Sequence, residues 1–352
     1  MQPGDHTYHE IVSQPEAWAN ALNVVEQARS GLSRLFDADY DQVLFTGCGS
    51  TYYLSLAAAA LFQEMTGRLA RAVPGGELLL NPATAVGQVS DLSHKTLLVA
   101  VSRSGSTTET VRAVEQFKAQ KRGAVIAITN YGEQPLAGLA DLPLVVEKGQ
   151  EQSVAQTRSF TSMYVAATAM TMLAAEAEGL RREMEKLPGA GASLLVRYEA
   201  AAQEFGENLH FDRFYFLGSG ARYGLACEAN LKMKEMTLTH SEPFHFLEFR
   251  HGPMSMVTEN AVVVGMLSDA NRVHEAKVLS EMKMLGGTVA GIGESETDVC
   301  FESQIPEEVR GVLYLPILQL MAFHRSLAKD LNPDRPNNLL PVVTLDLEER
   351  RT

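Results

Sequence analysis

The sequence predicts an α/β protein built from two tandem doubly wound domains, each a parallel sheet with helices on both faces. Three observations carry that expectation. Short runs of β-branched and aromatic residues alternate with helical stretches. The clearest runs end in turns rich in glycine or serine. The pattern then restarts about halfway along the 352 residues, a length that suits two domains better than one.

Taken in order, residues 6–36 read as helical, with Trp18, Leu22, Val25 and Leu32 at helical spacing. A strand over 42–46 leads into Gly47-Cys48-Gly49-Ser50-Thr51 and a helix over 52–66. A second strand, 96–101, ends in Ser102-Arg103-Ser104-Gly105-Ser106-Thr107 and a helix over 108–120. Strands at 124–129 and 143–146 complete this half; such continuous apolar runs indicate strands covered on both faces. A helical middle (162–185, 194–206) precedes a strand that ends in Gly218-Ser219-Gly220, with further strands at 261–267 and 288–292. Phe45-Thr46-Gly47-Cys48-Gly49 and Phe216-Leu217-Gly218-Ser219-Gly220 align about 170 residues apart, a domain-scale repeat. The expected organisation is a helical segment over 1–35, domains over 36–188 and 193–335, a linker at 188–192, and a tail over 336–352 near the active site.

Composition excludes several classes. A net charge of −13 argues against a nucleic-acid binder, whose footprint is basic. Hydrophobic residues at 45% and charged residues at 21% are ordinary for a globular core. The cysteines Cys48, Cys227 and Cys300 lie far apart without metal-ligand spacing, which suits a reducing compartment. No secretory signal or membrane-spanning run is visible, so the expected location is the cytoplasm.

Both glycine- and serine-rich turns follow strands, where ligands bind in doubly wound sheets. Gly47 and Gly49 permit a tight turn and a close backbone approach. Ser50 and Thr51 offer hydroxyls at a helix start, whose free amides favour an anion. Ser102, Ser104, Ser106 and Thr107 supply four more around Gly105. Hydroxyl-rich turns also simply cap helices, but two of them after two strands point to a bound phosphate. Neither a dinucleotide fingerprint nor a Walker loop is completed, so no nicotinamide or nucleotide cofactor is expected.

Glu228, Lys232 and Glu235 share one face of a helix. His240, Glu242, His245, Glu248 and His251 follow, and His251-Gly252-Pro253 ends the segment. Taken singly these are ordinary surface charges; together, beside a glycine-rich turn, they suit proton-transfer chemistry. The spacing of His245, Glu248 and His251 would admit zinc, but no metal signature is present and none is expected.

Over almost its whole length the chain resembles the isomerase half of glucosamine-6-phosphate synthase and the double sugar-isomerase (SIS) family. The resemblance is carried by His9-Glu10-Ile11 with Gln14-Pro15, the two loops, Val154-Ala155-Gln156-Thr157, the segment from Glu228 to Glu235, His251-Gly252-Pro253, and Asp334-Arg335-Pro336-Asn337-Asn338-Leu339. It implies tandem flavodoxin-like domains. It implies sugar-phosphate contacts at Cys48, Gly49, Ser50, Thr51, Ser102, Arg103, Ser104, Thr107, Val154 and Gln156. Arg103 replaces the family's glutamine and adds a cationic donor. The catalytic roles fall on Glu235 as proton shuttle, Lys232 as its neighbour and His251 as the ring-opening group. The family's histidine comes from a partner subunit, which implies a homodimer with a shared active site.

Two departures limit the resemblance. The chain begins Met-Gln and passes straight into the isomerase region, so no glutamine-derived ammonia is expected from it. Where the synthase has its Schiff-base lysine, this sequence has Pro341, which cannot form one. The expected activity is therefore a sugar-phosphate isomerase or amino-sugar-phosphate deaminase/isomerase acting on a hexose or hexosamine 6-phosphate. A fructosamine-phosphate deglycase and a non-catalytic sugar-phosphate sensor stay open as alternatives.

Overall fold

Alternation along the strands determines how this molecule is layered. In the computed structural model, which describes residues 2–87, 95–340 and 345, the first sheet contains β1 (Gln42–Gly47), β2 (Ala70–Pro74), β3 (Thr96–Ser102), β4 (Val125–Thr129) and β5 (Leu142–Val145). Its order is β2-β1-β3-β4-β5 and every pairing is parallel. The second contains β6 (Arg213–Leu217), β7 (His240–Phe244), β8 (Ala261–Met266), β9 (Thr288–Gly293) and β10 (Val299–Cys300). Its order, β7-β6-β8-β9-β10, repeats the first, again all parallel. Registers match as well: Thr46 pairs with Ala100 in β3, and Leu217 pairs with Gly265 in β8.

The helices, in chain order, begin with α1 (Asp5–Val12), α2 (Gln14–Gln27) and α3 (Arg29–Phe36), which divide the expected 6–36 helix. Within the first domain come α4 (Ser50–Thr66), α5 (Gly75–Leu80), α6 (Pro82–Val86), α7 (Thr108–Ala119) and α8 (Pro135–Leu139). The middle holds α9 (Arg158–Ala174), α10 (Glu178–Glu183) and α11 (Leu187–Glu207). The second domain has α12 (Ala221–Thr237), α13 (Phe246–Phe249), α14 (Arg272–Met284) and α15 (Leu315–Ala328).

Successive strand residues face opposite ways. Val43, Phe45, Leu97, Val99 and Val101 of the first sheet and Phe214, Phe216, Val262 and Val264 of the second point into one continuous core with residues of α2, α4, α9, α11, α12 and α15. Leu44, Leu98 and Ala100 instead face an outer layer with Val114 and Phe117 of α7. Tyr215, Leu217 and Val263 face the corresponding outer layer with Val278 and Met282 of α14. The domains thus share a central helical layer between their sheets. There α4 and α12 cross closely: a Cβ added at Gly224 would lie 2.5 Å from the Tyr53 carbonyl oxygen and 2.8 Å from the Ala57 Cβ.

Residues 188–192, expected as a linker, are helical. They form the first turns of α11, where Pro188 lacks only an amide that an N-terminal turn leaves unpaired anyway. Gly191 is needed for packing rather than freedom, since a Cβ there would stand 2.2 Å from the Trp18 ring. Strands β2, β7 and β10, absent from the sequence expectation, are all sheet edges. Edge strands tolerate proline and expose one side, and Pro74 and Pro243 interrupt two of these.

Candidate active site

In each sheet the strand order reverses between the first and third strands of the domain, and the crevice opens at their carboxyl ends. In the first domain the loops after β1 and β3 flank it. Gly49 sits at φ +56, where side chains are disfavoured. A Cβ on Gly47 would stand 2.7 Å from the Thr51 carbonyl carbon, so the loop closes tightly on the first turn of α4. The Thr51 hydroxyl donates to the Cys48 carbonyl (2.9 Å) and accepts the Cys48 N–H (2.9 Å), which fixes that turn. Burial pushes the Cys48 thiol up, against a weaker hydrogen bond from Thr110, so it adds no charge beside an anion.

The second loop forms a hydroxyl cluster. Thr107 Oγ1 lies 3.4 Å from Ser102 Oγ and 3.5 Å from Ser104 Oγ. Gly105 N–H donates to Ser102 (3.2 Å) and Ser106 N–H to Ser104 (3.3 Å), holding both oxygens toward the start of α7. A cavity of about 220 Å³ lies against this loop, bordered by Arg103, Ser104, Ser106, Tyr131 and Gln134.

Arg103 is buried, and its Nη1 is committed to the segment after β5. It donates to the carbonyls of Val154 (2.8 Å) and Ser153 (3.3 Å) and pairs with Glu151 at 3.7 Å. The expected phosphate donor is therefore also a clamp on Val154, whose own N–H donates to the Asp334 carbonyl (3.0 Å). Gln156 lies in the same segment and accepts from Ser159 Oγ at 3.4 Å.

Several quoted motif residues act as knots in this wall rather than as reactive groups. Glu10 accepts the N–H of Gln152 (2.6 Å) and Ser153 (3.3 Å) and the Ser153 hydroxyl. Burial, and then the neighbouring Glu151 charge, raise its affinity for a proton. The Asp334 carboxylate accepts from Gly4 N (3.1 Å), Thr7 N (2.8 Å) and Thr7 Oγ1 (2.7 Å).

The catalytic candidates lie on α12. Lys232 is almost fully buried and donates to Glu235, with Glu228 Oε1 at 3.3 Å. Ser50 was expected to face a phosphate, yet its hydroxyl crosses to the other domain. It donates to Glu228 Oε1 (3.1 Å) and accepts from Lys232 Nζ (3.2 Å). Glu228 was legible only as sharing a helix face with Lys232 and Glu235; its bond to the phosphate loop spans 178 residues and had no local signal.

Two carboxylates and one ammonium share a space that is buried at Glu228 and Lys232 and partly open at Glu235. Burial, and secondarily the Glu235 charge, push Glu228 up to about 8 even though Lys232 and Ser50 pull it down. Its Oε2 is buried without a hydrogen-bond partner among the described residues, as suits a protonated carboxyl. For Lys232, burial favours the neutral amine, but Glu228 and Glu235 together outweigh it and hold the ammonium. The cluster is therefore a Glu228 of raised proton affinity beside a Lys232–Glu235 ion pair, with Glu235 partly open to solvent.

His251 stands outside this cluster. It is exposed just beyond α13, held by its backbone N–H to the Glu248 carbonyl (2.9 Å), and its side chain makes no hydrogen bond or ion pair among the described residues. His245 stacks on Tyr223 with ring centroids 3.9 Å apart, and burial lowers its proton affinity against a weaker pull from Glu248. Among the described residues no three His, Cys, Asp or Glu side chains converge in a metal-binding group. Nor is any helix there long and apolar enough to cross a membrane. Pro341 lies outside the described residues.

The SIS domain model matches residues 35–173 and 210–324, one match on each sheet. The chain belongs to the SIS domain family. Among its relatives, glutamine–fructose-6-phosphate aminotransferase (isomerizing) of Thermococcus kodakarensis is 29% identical over 360 residues, covering 96% of this chain. The SIS chain spans only 57% of that relative's length. Glucosamine-6-phosphate deaminase of Thermotoga maritima superposes with a TM-score of 0.78 at 26% identity, over 97% of this chain and 100% of that one. Tagatose-6-phosphate ketose/aldose isomerase of Escherichia coli shares the fold, with a TM-score of 0.83 at 24% identity over 95% and 98% of the two chains.

Proposed function

We propose that the protein is a sugar-phosphate isomerase or amino-sugar-phosphate deaminase/isomerase acting on a hexose or hexosamine 6-phosphate. The observation that carries this reading is the buried Lys232, hydrogen-bonded at once to Glu235 and to Ser50 of the glycine loop. A sensor needs the loops alone; it has no use for an ammonium buried between two carboxylates, an arrangement that is costly to desolvate.

In this reading the phosphate rests between the loops after β1 and β3, on the amides at the start of α4 and α7 and the hydroxyls of Ser102, Ser104 and Thr107. Phosphate held by neutral donors needs no lysine, which leaves Lys232 for the reacting oxygen. The Glu235 carboxylate, partly open to solvent, removes the proton from the carbon next to the carbonyl, exchanges it with water and delivers a proton to the carbonyl carbon. The proton of the neighbouring hydroxyl or amino group passes to the former carbonyl oxygen. Lys232 stabilises the enediolate oxygen that forms between those steps. With an aldose the product is the ketose. With a 2-amino aldose the same transfer gives a 2-imine, which water hydrolyses to ketose and ammonia.

Ring opening needs an acid–base group near neutral pH, and His251 suits it by type. Its exposed place beyond α13 supports a homodimer in which each copy lends His251 to the other's crevice. The experiment incubates the protein separately with glucosamine 6-phosphate, fructose 6-phosphate, tagatose 6-phosphate and fructosyl-amino-acid 6-phosphates. Ketose, aldose, ammonia and amine release are then measured. Ketose–aldose interconversion or ammonia release that disappears in Glu235→Gln is expected; no turnover of any of them would leave only the sensor reading. Amine release from the fructosyl compounds alone would make it a deglycase.

A further inference from the structure

The second domain has its own crevice between the loops after β6 and β8. Gly220 at φ +58 and Gly218, where a Cβ would stand 2.4 Å from the Arg222 carbonyl oxygen, reproduce the first-domain turn. Arg222 stands at the position of Thr51, and residues 267–271 at the position of the hydroxyl loop. Here the donors already hold a carboxylate. Glu307, from the segment after β10, accepts the N–H of Asp269 (2.8 Å) and of Ala270 (3.3 Å), while Arg222 Nη1 donates to its other oxygen. Glu275 takes the Ser268 N–H (2.6 Å) and hydroxyl (3.0 Å) and reaches Arg222 at 3.5 Å. Arg310 braces the same loop from behind, donating to Asp269 (2.5 Å) and to the Ile305 carbonyl (2.9 Å).

A cavity of about 220 Å³ opens beside this group, lined by Tyr164, Ser219, Gly220, Arg222, Asn271 and Glu307. Arg222 Nε is buried there without a hydrogen-bond partner among the described residues. Two backbone amides and a guanidinium converging on one carboxylate make the donor set that a phosphate monoester would otherwise take. The first domain uses the matching segment in the opposite way. Glu151, which follows β5, turns back to accept the N–H of Thr157 (2.8 Å) and Ser159 (3.1 Å) at the start of α9, and meets the hydroxyl loop at Arg103 Nη1 (3.7 Å).

We propose that Glu307 is a built-in anion occupying a phosphate-type site in the second domain. The chain then takes one sugar phosphate, at the first domain, and excludes a second; removing the carboxylate opens a site for a phosphate monoester centred on Arg222. The count of one rests on the first-domain reading given above, whereas the gain on removal does not.

Equilibrium dialysis and titration calorimetry with glucosamine 6-phosphate, and separately with inorganic phosphate, count ligand bound per chain. Wild type is expected to bind one equivalent, Glu307→Ala two, and Glu307→Ala/Arg222→Ala one again. Thr51→Val in the otherwise native chain weakens the single site at least tenfold with nothing left behind it. Wild type binding two equivalents, Thr51→Val retaining one equivalent at native affinity, or a folded Glu307→Ala gaining none would overturn the proposal. If Glu307→Ala does not fold, Glu307→Ser is titrated in its place, with a second equivalent expected and no gain overturning the proposal. Should wild type bind none while Glu307→Ala binds one, the first-domain reading fails and the built-in anion stands.

Discussion

The turns after β1 and β6 have nearly the same backbone and opposite surroundings. Gly49 and Gly220 differ by only a few degrees in φ (+56 and +58), and both precede helices that cross in the centre of the molecule. Around the first turn, Ser50 gives its hydroxyl to Glu228, while the hydroxyls of Ser102, Ser104 and Thr107 cluster beside a cavity of about 220 Å³. Around the second, Glu307 and Glu275 take up the amides and the guanidinium. The shared backbone is what strand, tight turn and helix dictate; the difference lies wholly in side chains. Duplication therefore supplies two crevices, and the second domain also contributes α12, which packs against α4. Its Glu228 and Lys232 reach across to Ser50, so the turn proposed to hold the phosphate and the helix proposed to move the proton are physically joined.

The largest predicted contrast is catalytic. Glu235→Gln should lower turnover by about 10³-fold with KM nearly unchanged, the range expected for loss of a general acid–base group. Glu307→Gln in the other crevice should leave steady-state turnover within about twofold, since it touches neither loop of the first domain. Comparable losses in both variants would break the division of labour.

Next in size are the paired glycines. Gly47→Ala and Gly218→Ala each force a Cβ into the first turn of the following helix, and each should cost about 1–3 kcal/mol in urea unfolding. Only Gly47→Ala should also lower affinity for a sugar phosphate, by tenfold or more in calorimetry. Equal losses of affinity would mean that both crevices bind.

The last effect is a pH dependence located at the joint between the domains. An ordinary carboxyl near 4.5 is raised to about 8 at Glu228, so between those values the folded chain holds a proton that the unfolded chain has released. Stability contributed by this group is greatest below about 4.5, falls as pH rises, and levels off above about 8. Glu228→Gln, which cannot ionise, should remove that slope in thermal unfolding measured from pH 5 to 9. An unchanged slope would show that Glu228 is ionised at neutral pH.

Much of this architecture is legible in the sequence because most interior strands are covered on both faces. β3, buried throughout as Thr-Leu-Leu-Val-Ala-Val-Ser, has one reading. β7, His-Ser-Glu-Pro-Phe, carries no apolar run because it forms an edge. The loops are equally legible, since glycine and hydroxyl residues at strand ends have local causes. The site's wall is not. Glu10 reaches 143 residues to Ser153, and Asp334 reaches 327 residues to Thr7; nothing in the neighbourhood of either announces its partner. Arg103 reads as a phosphate donor by charge and position, and the fold also gives it carbonyls to bind. Glu307, in a segment with no motif, becomes meaningful only when the two domains are compared.

Glu235 is proposed to shuttle a proton on a sugar phosphate held by the first domain. Solvent deuterium exchange tests it most directly, with glucosamine 6-phosphate, fructose 6-phosphate and tagatose 6-phosphate incubated in heavy water and followed by NMR. The native protein should place deuterium on the carbon next to the carbonyl of at least one of these, and Glu235→Gln should not. No exchange into any of them by the folded native protein, or equal exchange by the Glu235→Gln variant, would contradict it.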